Sequence, residues 1–169
     1  KKNAGFSVLV PTSRQQKGFD FVIMNTANSK ALRAQVKSSR SYVADDPDSQ
    51  LNRRQYKYNF WFNNFLERYN EGDVDIYLLF GLYPIYDTKA NIKSRDKFWK
   101  SFILAFSDAE MRGLLQIVKT KKAQKPDRFF GVGFNTLSQI SGVRGFAEPC
   151  DLTRHLLVTK IPDLLSCLK

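Results

Sequence analysis

Apolar positions along this chain fall in short runs of strand length, separated by clusters of Gly, Pro, Asn, Asp and Ser that break them. FSVLV (Phe6 to Val10) ends at Pro11, and Ser13 to Gly18 has the composition of a polar turn. GFDFVIMN and ALRAQVKSS follow as two strands, with NTANSK (Asn25 to Lys30) between them as a turn. Tyr58, Phe60 and Phe62 alternate with Lys57, Asn59 and Trp61, which predicts a strand with one buried face. DVDIYLLFGLY (Asp73 to Tyr83) is almost continuously apolar up to Pro84, as expected of an interior strand covered on both faces. Phe98 to Phe106 predicts another strand, and Phe129 to Phe134 a strand or bend.

Helical signals lie in the second half. Ser107-Asp-Ala-Glu110 is a capping box, with Phe106 and Met111 at the staple positions, so a helix is predicted over 108–118. This makes Glu110 structural rather than catalytic. Asp151 to Val158 and Pro162 to Leu168 predict two more helical segments, with Pro162 opening the second. The expected architecture is α/β in a single domain: a core of about residues 5–118 and a C-terminal extension over 119–169. KTKKAQKPDR (119–128) reads as an exposed loop.

The first two-strand unit carries the chemistry. A hairpin centred near Ala27 and Asn28 sets facing residue numbers to sum to about 55, which places Asp20 opposite Gln35. Side chains alternate along a strand, so Gln35 and Lys37 share a face and Val36 points the other way. Asp20, Gln35 and Lys37 then converge on one patch. Mg²⁺ prefers oxygen ligands and keeps several waters, so Asp20, with Gln35 Oε1 or the Val36 carbonyl, would suit it against a phosphate. Lys37 would position the attacking water and offset charge on the phosphorus oxygens.

An Asp on one strand followed by Gln-x-Lys on the next resembles the PD-(D/E)XK nuclease superfamily. Asp20 matches its metal-binding Asp, Gln35 its usual Glu and Lys37 its Lys, with the apolar Val36 between the last two. QVKSSRSY, YNFWFNNF and VDIYLLFGLY are similar to prokaryotic members that carry Gln in place of Glu, over roughly residues 5–85. The resemblance implies a restriction-endonuclease-like mixed central sheet flanked by helices, and cleavage of DNA with Mg²⁺ or Mn²⁺. Gln35 leaves the set one charge short. Many members add a Glu from a helix before the first strand, whereas this sequence opens with KKNAGFSVLV and no initiator Met. Either the sequence begins late or that acid is lacking. Glu67, Glu71 and Asp75 are acids downstream with no spacing that places them at the patch.

Charge fits a polyanionic partner. The chain has 169 residues, with 27 Lys and Arg against 16 Asp and Glu, a net charge of +11. Such a surplus attracts nucleic acid and makes binding salt-sensitive. Lys30, Arg33, Lys37 and Arg40 are expected around the site, followed by Arg53, Arg54 and Lys57 as nucleic-acid contacts. Lys89, Lys93, Arg95, Lys97 and Lys100 form a second basic group, and Lys119 to Arg128 a third. Aromatic residues over Tyr56 to Phe65 could stack on unpaired bases, although a buried strand face is the preferred reading.

Other chemistries are poorly served. DDPDS (Asp45, Asp46, Asp48) lacks the Gly and Glu of a calcium loop, and FFGVGF lacks the Lys of a P-loop. Cys150 and Cys167 form no CxxC pair, and His155 is the only histidine, which disfavours zinc. A Cys150–His155 dyad is disfavoured because TRHLLVTK reads as ordinary helix. No run approaches a membrane span or a signal peptide, and a reduced, cytoplasmic setting is expected. Three functions are open: a Mg²⁺-dependent endonuclease, an inactive nuclease-like module that binds nucleic acid, and an assembly domain for an acidic protein partner. Cutting both strands of DNA often calls for two active sites, so a homodimer is an expectation of the first.

Overall fold

The computed structural model describes residues 5–13, 18–43, 56–63, 69–84, 99–118 and 129–169. Its first sheet begins as an antiparallel meander of β1 (Phe6–Leu9), β2 (Phe21–Asn25) and β3 (Ala31–Arg40). β6 (Ile76–Pro84) then lies parallel to β3, and β7 (Trp99–Ser107) closes the sheet antiparallel to β6. The order is β1-β2-β3-β6-β7, a mixed five-stranded sheet. The turn after β2 is held by its own asparagines: Asn25 Oδ1 accepts from the Ala27 N–H and Asn28 Oδ1 from the Lys30 N–H.

A second five-stranded sheet was not foreseen. It is antiparallel throughout, built from β4 (Tyr42–Val43), β5 (Tyr58–Asn63), β8 (Phe129–Phe134), β9 (Ile140–Gly142) and β10 (Cys150–Asp151), in the order β10-β9-β8-β5-β4. The chain passes between sheets where β3 ends. Ser41 still donates its N–H to the Leu82 carbonyl, and β4 begins one residue later.

The two sheets face each other across an aromatic core. Tyr58, Phe60 and Phe62 are all buried, as their alternation predicts. Phe60 meets Phe102 edge-on at 4.8 Å, and Phe134 meets Phe102 at 5.2 Å. Gly81 is opposite Phe102 in the β6–β7 ladder, and a Cβ there would lie 2.2 Å from the Phe102 ring. The interior position of β6 explains its continuous apolar run. Tyr77 and Leu79 enter the inter-sheet core, whereas Ile76 and Leu78 join Ala34, Ala105 and Phe21 on the opposite face. Phe130, Val132, Phe134, Ile140 and Leu152 belong to the same core as β6 and β7, so residues 129–169 are integral to the fold rather than an appended segment.

Helix α1 (Asp108–Ile117) starts on the expected capping box: Ser107 Oγ accepts from the Glu110 N–H and the Glu110 carboxylate accepts from the Ser107 N–H. Phe106 and Met111, at the staple positions, are both buried. The C-terminal helices differ from expectation. A short 3₁₀ turn (Thr153–His155) precedes one helix, α2 (Leu157–Cys167), with Pro162 inside it rather than opening a second. The helix continues through the proline because packing holds it: Leu157 and Leu164 press on the outer face of the first sheet. The Leu168 carbonyl beyond it accepts from Asn25 Nδ2 and Asn28 Nδ2. Tertiary contacts here override the helix-breaking preference of proline.

His155 is buried at 4% exposure and lies flat on Phe106 at 4.2 Å, not on a solvated helix face. Its Nε2 accepts from Arg154 Nε at 3.2 Å. Burial pushes its imidazole below the ordinary value; Glu110 opposes this and Arg154 adds to it. Burial would raise the Glu110 carboxyl, but the Ser107 N–H and Lys160 ammonium outweigh it and hold the group below the usual range. Lys160 reaches Glu110 from α2 at 2.9 Å, so the capping glutamate also clamps the two helices together.

Two expectations follow. His155 must stay neutral to remain buried, so the unfolded chain takes up a proton that the folded chain resists. Stability is therefore fully present above about pH 6.5 and falls as the pH drops below it. Urea denaturation across this range should show the loss in the wild type and its disappearance in His155→Phe; an equal slope in both would refute the assignment. Gly81→Ala should cost about 1–3 kcal/mol by overpacking against Phe102, read as a lower denaturation midpoint at unchanged slope.

Candidate active site

The hairpin adopts the expected register. Phe21 faces Ala34 and Met24 faces Ala31, each pair summing to 55, but the pairing stops at Phe21; the Asp20 N–H also donates to the Ala34 carbonyl, at 2.8 Å, so Asp20 is one residue out of step with the expected facing on Gln35. β2 begins at Phe21, so the next amide along that edge of β3, Val36 N–H, has no strand partner. The Asp20 carboxylate takes its place, accepting from Val36 N–H at 2.6 Å. A residue's N–H and carbonyl project from the same edge of a strand, so the Val36 carbonyl also faces the Asp20 side. Gln35 is half-buried and donates from Nε2 to the Gly18 carbonyl at 3.3 Å, a bond that leaves Oε1 uninvolved.

The face shared by Gln35 and Lys37 is fixed from the other edge. Gln35 is level with Tyr77 and Lys37 with Leu79 in the parallel β3–β6 ladder, and aligned residues project to one side. Lys37 is therefore half-buried at the margin of the inter-sheet face. Asp20 is exposed, so the carboxylate lies at the solvent side of the group. Gly18, whose carbonyl holds the Gln35 amide, was not anticipated, because a main-chain acceptor in a turn leaves no mark in composition.

The basic residues expected around this group are dispersed. Lys30 is at the hairpin turn, about 23 Å along β3 from Lys37. Arg33 is engaged with Asp75: Nε donates to Oδ2 at 3.1 Å and Nη2 to Oδ1 at 3.0 Å, while the Arg33 N–H adds a bond to Oδ2 at 2.7 Å. Arg40 alternates to the face opposite Lys37, level with Leu82. Lys57 is exposed just before β5, its ammonium 5.3 Å from the Tyr58 ring centroid, and its N–H donates to Asn135 Oδ1. Arg53 and Arg54 lie outside the described residues, as do Glu67, the Asp45–Asp48 cluster, Lys89 to Lys97 and Lys119 to Arg128.

No downstream acid joins Asp20 among the described residues. Asp75 is taken by Arg33, and Glu71 forms an ion pair with Arg112. Burial would raise the Asp75 carboxyl, but the Arg33 guanidinium and N–H hold it below the usual range. Among the described residues, no group of three His, Cys, Asp or Glu could enclose a metal ion. What remains is one carboxylate, one amide oxygen and one main-chain carbonyl. This all-oxygen set suits Mg²⁺ or Mn²⁺ with water completing the shell, and its single charge makes for weak retention.

A cavity of 280 Å³ lies elsewhere, between α1 and the turn at residues 150–155, lined by Glu110, Leu114, Cys150, Asp151, Arg154 and His155. Cys150 and His155 both line it without making a dyad. Burial pushes the Cys150 thiol up, away from a thiolate, and the lone pair of His155 Nε2 is occupied by Arg154. Among the described residues, no helix is long and apolar enough to cross a membrane. The chain is mixed α/β, and no family model, curated protein or solved structure matches it.

Proposed function

We propose that this chain is a metal-dependent nuclease that hydrolyses phosphodiester bonds in DNA, with a restriction-endonuclease-like central sheet and a site formed by Asp20, Gln35, Val36 and Lys37. The observation that carries this reading is that the Asp20 carboxylate accepts from the Val36 N–H at 2.6 Å, while Gln35 and Lys37, on either side of Val36, lie level with Tyr77 and Leu79 on one face of β3. Asp20, the Gln35 amide oxygen and the Val36 carbonyl would hold Mg²⁺ or Mn²⁺. Bound there, the ion would polarise a phosphate and acidify a water. The Val36 N–H keeps the Asp20 carboxylate in place before substrate arrives, and Gly18 does the same for Gln35. Lys37 holds the attacking water and offsets charge that develops on the phosphorus oxygens. The net charge of +11 gathers the polyanion to this surface.

A second reading has its own support. With Asp20 as the one carboxylate in the group, metal retention is weak, and the same fold would then bind nucleic acid without cutting it.

Nicking of supercoiled plasmid with Mg²⁺, Mn²⁺ or EDTA separates the two. The nuclease reading expects metal-dependent nicking that falls about a hundredfold or more in Lys37→Ala at unchanged thermal stability. Gln35→Glu adds a charge to the oxygen set and should lower the Mn²⁺ concentration needed for half-maximal nicking. Retardation of DNA on a gel that is insensitive to EDTA, with no nicking by any variant, would sink the nuclease and leave the binding module.

A further inference from the structure

The second sheet has an outer face as well as a buried one. Trp61 lies between the inward-facing Phe60 and Phe62, so its side chain projects away from the core. Across the ladder from it is Gly131 of β8, and Gly133 lies two residues on with the same orientation. Neither glycine has room for a side chain. A Cβ at Gly131 would lie 2.6 Å from Trp61 Cζ3 and 2.9 Å from Arg144 Cβ, and one at Gly133 would lie 2.7 Å from Tyr56 Cδ2. Beyond β9 the chain runs on beside β8. The Val143 N–H donates to the Gly131 carbonyl and the Gly131 N–H to the Arg144 carbonyl, both at 2.9 Å. The Arg144 guanidinium carbon stands 5.0 Å from the centroid of the Trp61 ring.

Two aromatic rings and a guanidinium therefore share a glycine floor. The face adjoins the candidate site through one bond: the Trp61 N–H donates to Ser39 Oγ at 3.3 Å. Ser39 follows Lys37 on the same face of β3, about 7 Å further along the strand.

We propose that Tyr56, Trp61 and Arg144 form a stacking platform for single-stranded nucleic acid, which passes Ser39 on its way to the candidate site. Bases have faces that stack on indole, phenol and guanidinium planes whatever their identity, and Arg144 supplies charge for the phosphates. The spacing of Gly131 and Gly133, about 7 Å along β8, suits neighbouring bases of an extended strand. A duplex keeps its base faces stacked inside and offers this surface only its backbone and base edges. The path past Ser39 rests on the nuclease reading, whereas the platform rests on the outer face alone.

The test uses Trp99→Phe, which leaves Trp61 as the sole tryptophan, titrated in EDTA with oligo(dT) of about 12 nucleotides and with a DNA hairpin of equal length. Oligo(dT) should quench Trp61 emission and bind roughly tenfold more tightly than the hairpin. By anisotropy of labelled oligo(dT), Trp61→Leu and Arg144→Ala should each weaken binding roughly tenfold. Arg144→Lys, which keeps the charge and loses the plane, should weaken it nearly as much. Equal affinity for the hairpin, or unchanged oligo(dT) binding in these variants, overturns the platform. If Trp61→Leu fails to fold by circular dichroism, Arg144→Lys decides. EDTA bars cleavage, so a failure here and a failure of plasmid nicking are separate results.

Discussion

The parallel alignment of β3 with β6 is the constraint on which the rest of the structure depends. β6 is interior, with Ile76, Tyr77 and Leu79 all buried on its two faces, so its parity is fixed by burial. The Arg33–Asp75 contact transmits that parity to β3, with the side chain and the N–H of Arg33 both on one carboxylate. Arg33 and Asp75 are each more than a third exposed, so the pair contributes more to register than to stability. A slip of one residue would send Gln35 and Lys37 to the α2 face and bring Val36 in their place.

The candidate site occupies the point where β2 begins and β3 runs on past it. An edge left open in this way leaves an amide and a carbonyl unpaired, and here a carboxylate fills the amide's position. Asp20 thus has a structural role and a chemical one at once. The charge surplus is not concentrated beside it among the described residues, because alternation and the ion pair with Asp75 turn Arg40 and Arg33 to other tasks.

Local features were the legible ones. The hairpin register, the alternating Tyr58, Phe60 and Phe62, the buried β6 and the capping box each rest on residues within a few positions of one another. The second sheet was not legible, because it pairs β5 with β8, strands far apart in sequence, and no local pattern records a non-local partner. Pro162 misled for a related reason: its local preference is to open a helix, and packing of Leu157 and Leu164 on the first sheet overrode it. In the site, the hairpin register was readable from the turn centre, whereas the Asp20 carboxylate on the Val36 N–H was not. The Gly18 carbonyl, the Arg33–Asp75 clamp and the Arg144–Trp61 stack were not, since each depends on tertiary proximity.

Iron-mediated cleavage of the polypeptide would show whether Asp20 holds a metal ion. Fe²⁺ takes the place of Mg²⁺ at an oxygen site, and with ascorbate and peroxide it cuts the backbone beside the ion. The expected fragments end near residues 18–20 and 35–37 and vanish with excess Mg²⁺ or in Asp20→Asn. Fragments that arise elsewhere, or that persist in Asp20→Asn, would contradict a metal site at the start of β2.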